Sequence, residues 1–156
     1  MLLVGEPNLG EGEKAALREV VDSGWITMGE RVRAFEKSFA EAHHVADAAA
    51  VSSCTAGLHL ALAALGIGPG DEVLVPSLSF VATANCALYV GATPVFVDIE
   101  SIDEPLMSLK DAERKCTPRT RAVIVMHYAG TVGEQAAWRR FCEAHRLLLV
   151  EDAAHA

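Results

Sequence analysis

The sequence predicts an α/β fold whose mainly parallel sheet is covered by helices. Three observations carry the expectation. Five short apolar runs are spaced along residues 46–150, and helical patterns separate them. Glycine-bearing segments such as Gly66-Ile67-Gly68-Pro69-Gly70-Asp71 close a helix and turn into the next strand. Strands that alternate with helices in this way form β-α-β units, whose strands pair in parallel.

The elements follow in order. Residues 11–23 and 30–43 read as two helices, separated by Gly24-Trp25-Ile26-Thr27-Met28-Gly29, whose bracketing glycines mark a loop. Val20, Val21, Val32, Phe35 and Phe39 form their expected buried stripe. Strands are expected at residues 46–51, 72–75, 94–98, 122–126 and 147–150, with helices at 55–65, 80–90, 106–116 and 134–145. Neither an internal repeat nor a low-complexity linker marks a domain boundary.

Composition bounds the function. The chain has 156 residues, and 51% of them are hydrophobic, ample for a core. A net charge of -8 argues against nucleic acid as a partner, because phosphate backbones require a basic face. The close basic pairs Arg31/Arg33, Arg114-Lys115 and Arg139-Arg140 read as solvated helix surface. No stretch reaches the roughly 18 uncharged apolar residues of a membrane span. Residues 1–7 are too short for a signal-peptide core, so the protein is expected in the cytoplasm.

The cysteines Cys54, Cys86, Cys116 and Cys142 form no C-x-x-C pair and read as reduced packing residues. Cys54 at a strand end is the one with the setting of a reactive thiol, but no histidine partner is identifiable from sequence. Metal ligation fails on spacing: His43-His44 are adjacent, and His127, His145 and His155 form no ligand motif.

In a parallel sheet, ligand chemistry gathers at the carboxyl ends of the strands. Those ends carry Ser52-Ser53-Cys54-Thr55, Ser77-Leu78-Ser79-Phe80, Asp98-Ile99-Glu100, His127-Tyr128 and Glu151-Asp152-Ala153-Ala154-His155. The first combines small hydroxylated residues with a helix N-terminus, a setting that suits a phosphate. A phosphate cradle, an aromatic ring and a carboxylate together suit a flat, phosphorylated, nitrogen-containing ring. Pyridoxal phosphate fits each part, since a carboxylate keeps its pyridine nitrogen protonated and an aromatic face stacks on the ring. A nucleotide-binding domain uses similar parts, although neither G-x-G-x-x-G nor G-x-x-x-x-G-K-[ST] is present.

Longer segments resemble a known family. They are SCTAGLHLALAALGIGPGDEVLVPSLSFVATANCALYVGATPVFVD at residues 53–98, TPRTRAVIVMHYAG at 117–130, VEDAAHA at 150–156 and SGWITMGERVRAFEKSFA at 23–40. In this order they resemble the DegT/DnrJ/EryC1/StrS family of pyridoxal-phosphate sugar aminotransferases. The resemblance implies the large domain of fold type I, the aspartate aminotransferase-like architecture, with the amino-terminal helices attached. It implies that Thr55 and Ala56 bind the cofactor phosphate through backbone N–H groups and the Thr55 hydroxyl. Phe80 would stack on the ring, Asp152 would pair with the pyridinium nitrogen, and His155 would lie beside the ring hydroxyl. Trp25, Gly29, His127 and Tyr128 match segments near the substrate, without individual roles.

Two departures stand out: Cys54 replaces the family's common glycine, and residues 101–107 differ from the usual sequence. The family's aldimine-forming lysine would lie beyond Ala156, with the remaining strands and the small domain. Lys14, Lys37, Lys110 and Lys115 all fall in expected helices, away from the strand ends. The chain by itself is therefore expected to be inactive. It is also expected to be poorly stable, because the apolar run at 46–51 would lack the neighbouring strand that the family supplies later in the chain.

The implied reaction moves an amino group, from glutamate, to a nucleotide-linked keto-sugar in a homodimeric enzyme. The alternatives are a family member that dehydrates or deoxygenates its sugar, with histidine in place of the lysine, and a truncated non-catalytic partner of longer subunits.

Overall fold

The computed structural model describes residues 6–156. Residues 1–5, most of the stretch considered above as a signal-peptide core, lie outside the described residues. No helix among the described residues is long and apolar enough to cross a membrane. The chain forms two compact units that divide between Ala50 and Val51, although no change of composition announces the division.

The first unit contains α1 (Glu11–Asp22) and α2 (Glu30–Ala42). At the start of α1, the Glu13 carboxylate accepts the Gly10 N–H at 2.6 Å, which satisfies one of the donors left open at a helix N-terminus. Arg31 of α2 pairs with Glu19 of α1. In the loop between them, the Trp25 indole N–H donates to the Met28 carbonyl at 3.0 Å. A Cβ on Gly29 would stand 2.5 Å from that indole nitrogen, so only glycine fits beneath the ring.

The expected buried stripe is corrected here. Val20 and Val32 are half-buried, but Val21, Phe35 and Phe39 are exposed. Helical periodicity identifies the apolar face without saying what covers it, and two helices can shield only the surfaces they turn toward each other.

Residues 46–51 are a second correction, since they form no strand. A strand exists by virtue of its ladder, and none of the four strands pairs with this run. Its last donor in the first unit, the Ala50 N–H, goes instead to the Glu36 carboxylate at 2.8 Å.

The second unit is a parallel four-stranded sheet between two layers of helix. Its elements are α3 (Cys54–Ala64), β1 (Glu72–Pro76), α4 (Val81–Tyr89), β2 (Thr93–Val97), α5 (Leu109–Lys115), β3 (Thr120–Met126), α6 (Gln135–His145) and β4 (Leu148–Asp152). The strand order is β2-β1-β3-β4, with every neighbouring pair parallel. Strand residues alternate between two cores, as the pleat requires. Val73, Val75, Ala122 and Ile124 pack with Leu58, Leu62 and Cys86 of α3 and α4. Leu74, Val97, Val123 and Val125 pack with Ala112, Trp138 and Phe141 of α5 and α6. The chain leaves β1 toward β2 and returns to place β3 on the other side of β1. The order therefore reverses between β1 and β3, the place where such sheets open a ligand crevice.

Helix α5 begins at Leu109 rather than Leu106. Met107 is held in an antiparallel bridge with Ile99, and the Ser108 hydroxyl caps the helix by accepting the Asp111 N–H at 3.3 Å. Asp111 in turn accepts the Asp98 N–H at 2.8 Å and a bond from Lys115 at 2.7 Å, and it also pairs with Arg114. The Asp98 N–H first, then Lys115, lower its carboxyl to about 2. Because the folded value lies below that of the unfolded chain, this stabilisation is complete above about pH 4 and fades as pH falls toward 2. Asp111→Asn is expected to destabilise the unit by about 2 kcal/mol at neutral pH and to flatten the acid limb between those values. Urea melts at pH 7 and pH 3 check both; an equal loss at the two pH values would refute the assignment.

The amino-terminal end of the sheet is also tied structurally. Buried Glu72 accepts the Thr117 hydroxyl at 2.5 Å and pairs with Arg119. The Thr117 hydroxyl, then Arg119, hold its carboxyl below the usual range.

Candidate active site

At the opposite end of the sheet a crevice of about 420 Å³ opens between the tips of β3 and β4 and the starts of α3 and α4. Cys54, Thr55, Ser79, Phe80, Met126, Tyr128, Asp152 and His155 line it. Four of the five residues expected to hold the cofactor thus meet in one place: Thr55, Phe80, Asp152 and His155. Ala56 does not line the crevice, and its N–H donates at 3.2 Å to the hydroxyl of Ser53, the N-terminal cap of α3.

Asp152 is 3% exposed, and its carboxylate is well supplied with donors. Thr83 donates to Oδ2 at 2.7 Å, the Ala154 N–H reaches Oδ1 at 3.2 Å, and the Cys54 thiol reaches Oδ1 at 3.5 Å. A carboxylate that accepts several bonds and donates none remains a hydrogen-bond acceptor. Burial first, and the Asp152 charge second, raise the Cys54 thiol above its ordinary value. Cys54 is thus a protonated donor at neutral pH, which favours packing over reactivity. Burial pushes Cys86 and Cys142 up to about 11.

Phe80 stands just ahead of α4 and is 65% exposed, so its ring is free to cover a ligand. His155 Nδ1 accepts the Ala129 N–H at 3.2 Å, which leaves Nε2 to carry the proton of the neutral ring. Ala129 and Gly130 turn sharply with positive φ, and a Cβ on Gly130 would come within 3.1 Å of the His155 carbonyl. Tyr128 meets the His155 ring edge-on at 5.9 Å.

His127 and Tyr128 separate. Tyr128 lines the crevice, whereas His127 Nε2 meets Glu151 at 2.9 Å, beside a bond from Gln135 to Glu151 at 3.0 Å. His127 and Glu151 lie on the α6 side of the sheet with Val125 and Leu149, around a separate small cavity. Strand alternation puts Glu151 and Asp152 on opposite sides of β4, while His127 and Tyr128 lie past the end of β3, where the chain leaves the strand. None of the four lysines lines the crevice.

Sequence reasoning named Ser79 only as part of a strand end, without a role, and missed Thr83. Thr83 is fully buried in the first turn of α4, amid apolar residues. The available signal was a hydroxyl at a core position, since a buried hydroxyl needs a partner.

A parallel sheet with a helix N-terminus, an exposed aromatic and a buried carboxylate gathered at the carboxyl ends of its strands defines an α/β domain with a crevice whose parts suit an anionic cyclic ligand. Comparison with known proteins narrows the class. Residues 7–156 match the model of the DegT/DnrJ/EryC1/StrS aminotransferase family, and the chain belongs to that family. The second unit has the parallel-sheet architecture of fold type I enzymes. The aminotransferase TlmJ from Streptoalloteichus hindustanus is 42% identical, with a TM-score of 0.91 over 100% of this chain and 43% of its own. DesV of S. venezuelae, solved with a ketimine intermediate, is 40% identical, with a TM-score of 0.90 over 94% of this chain and 39% of its own. The ntda protein from Bacillus subtilis, solved with bound cofactor PMP, is 31% identical, with a TM-score of 0.87 over 92% of this chain and 33% of its own. The chain therefore spans well under half the length of these solved relatives.

Proposed function

We propose that this chain is the cofactor-holding part, within the large domain, of a pyridoxal-phosphate-dependent aminotransferase that carries an amino group from glutamate to a nucleotide-linked keto-sugar. The observation that carries the reading is Asp152: a carboxylate 97% removed from solvent, accepting every bond it makes, at the crevice of a parallel sheet. Such a group suits a protonated ring nitrogen. Thr55 at the start of α3 suits the phosphate, with the Ala56 N–H joining if Ser53 yields its cap, and Phe80 suits the ring face.

When bound, the pyridinium ring withdraws electrons from the carbon that carries the migrating amino group. The side chains named here bind and orient the ring, and His155 Nε2 offers a proton beside it. No lysine lines the crevice, so the role of these lining residues is to orient the cofactor. A homodimer in the cytoplasm belongs to the same reading. It is supported by the family alone.

Titration of the purified protein separates this from nucleotide binding. Pyridoxal phosphate and pyridoxamine phosphate are expected to bind and to be displaced by ATP or ADP only at concentrations at least about a hundredfold higher, a difference of about 2.7 kcal/mol. Equal competition by an adenine nucleotide would refute the cofactor assignment.

A further inference from the structure

The geometry points to Thr83, with Ser79 behind it, as a positioning relay that fixes Asp152 toward the cofactor ring. The inference rests on the pyridoxal phosphate reading above. Thr83 and Asp152 are 69 positions apart, and both are shut off from solvent. The Thr83 hydroxyl owns one proton and donates it to Asp152 Oδ2 at 2.7 Å. Its oxygen is then free to accept, and the Ser79 hydroxyl stands 2.5 Å away. Asp152 is the acceptor at this contact, so the chain of bonds runs in one direction, from Ser79 through Thr83 to Asp152.

Ser79 has a second acceptor in Met126 Sδ at 2.8 Å, but its single proton can serve only one. Thioether sulfur is a weak acceptor, which favours the bond to Thr83. The relay occupies Oδ2 on the α4 side, while Oδ1 faces the Ala154 N–H and Cys54. The carboxylate is thereby held from both oxygens, and its remaining lone pairs are left for a charged donor in the crevice. Thr83 itself is well anchored: its N–H donates to the Phe80 carbonyl at 3.1 Å, and its carbonyl accepts the Cys86 thiol at 3.2 Å. The same turn of chain therefore sets both the aromatic Phe80 and the donor to Asp152.

The test uses ring-¹⁵N-labelled pyridoxamine phosphate bound to the purified protein, and it reads the dissociation constant and the ring-nitrogen resonance. Thr83→Val keeps the side-chain shape and removes the donor; it is expected to weaken binding about tenfold and to move the resonance toward the unprotonated position. Thr83→Ser restores the hydroxyl and is expected to recover both, while Ser79→Ala shifts both in the same direction by a smaller amount. Asp152→Asn serves as the reference. If it changes both readouts while Thr83→Val changes neither, or if Thr83→Ser fails to rescue, the relay is overturned and the cofactor reading survives. If Asp152→Asn itself leaves both unchanged, the cofactor reading fails and the relay with it.

Discussion

Asp152→Asn is expected to lower pyridoxamine phosphate affinity by about 10- to 100-fold while leaving the fold nearly as stable as before. The two effects part because the carboxylate has two kinds of partner. Toward the protein it accepts from Thr83 and the Ala154 N–H, and the amide oxygen of asparagine can still accept one of these. Toward the ring nitrogen it offers a full negative charge, and a hydrogen bond between charged groups is worth about 1.5–3 kcal/mol. Asp152→Ala should differ in stability, because Thr83 would lose its acceptor inside a closed core, at about 1–3 kcal/mol. Calorimetric titration and urea melts on the two variants check the pair of outcomes. Wild-type affinity in Asp152→Asn would remove the carboxylate from the site.

Ile124→Ala is expected to have the largest effect on stability, about 3–4 kcal/mol. Ile124 is fully buried on β3, an interior strand paired on both sides, where it packs in the core shared with α3 and α4. Truncation removes buried hydrocarbon and leaves a void that a strand hydrogen-bonded to two neighbours cannot close. Domains of this kind have about 5–15 kcal/mol in total, so the variant should unfold at much lower urea. Arg121→Ala, at an exposed position of the same strand, should stay within about 0.5 kcal/mol of wild type. Similar losses in both variants would mean that the alternation along β3 is misassigned.

The same alternation marks how far the amino-acid sequence could be read. Runs such as residues 73–75 and 122–126 announce themselves, because a strand buried on both faces reads as a near-continuous apolar run. The alanine-rich run at 46–51 also reads as apolar and is no strand, since apolar character draws a segment inward but only a neighbouring backbone makes a ladder. Phe35 and Phe39 failed as core residues for a related reason: a helix sequence describes its own face and not what lies opposite. Within the site, Asp152, Phe80 and Thr55 were legible because strand ends and helix starts are local features. Thr83 was not, because its role exists only after β4 has been placed beside β3 and across from α4. The opposite orientations of His127 and Tyr128 were not legible by counting along β3, because both residues lie past its end, in the chain that turns at Ala129.

The arrangement of the crevice also sets an order of events during synthesis. The chain emerges from its amino terminus, so α3, Phe80 and Thr83 leave the ribosome long before Asp152. Until then Thr83 has no carboxylate to receive its proton, and a nascent chain can offer a phosphate seat and an aromatic face but no counter-charge for a ring nitrogen. Strand β4 delivers that charge as it docks on β3, at the Met126–Asp152 register. A ligand that needs all three features can bind only after this docking. By mass action it then holds β4 against β3, so the cofactor would act as a latch on that docking step.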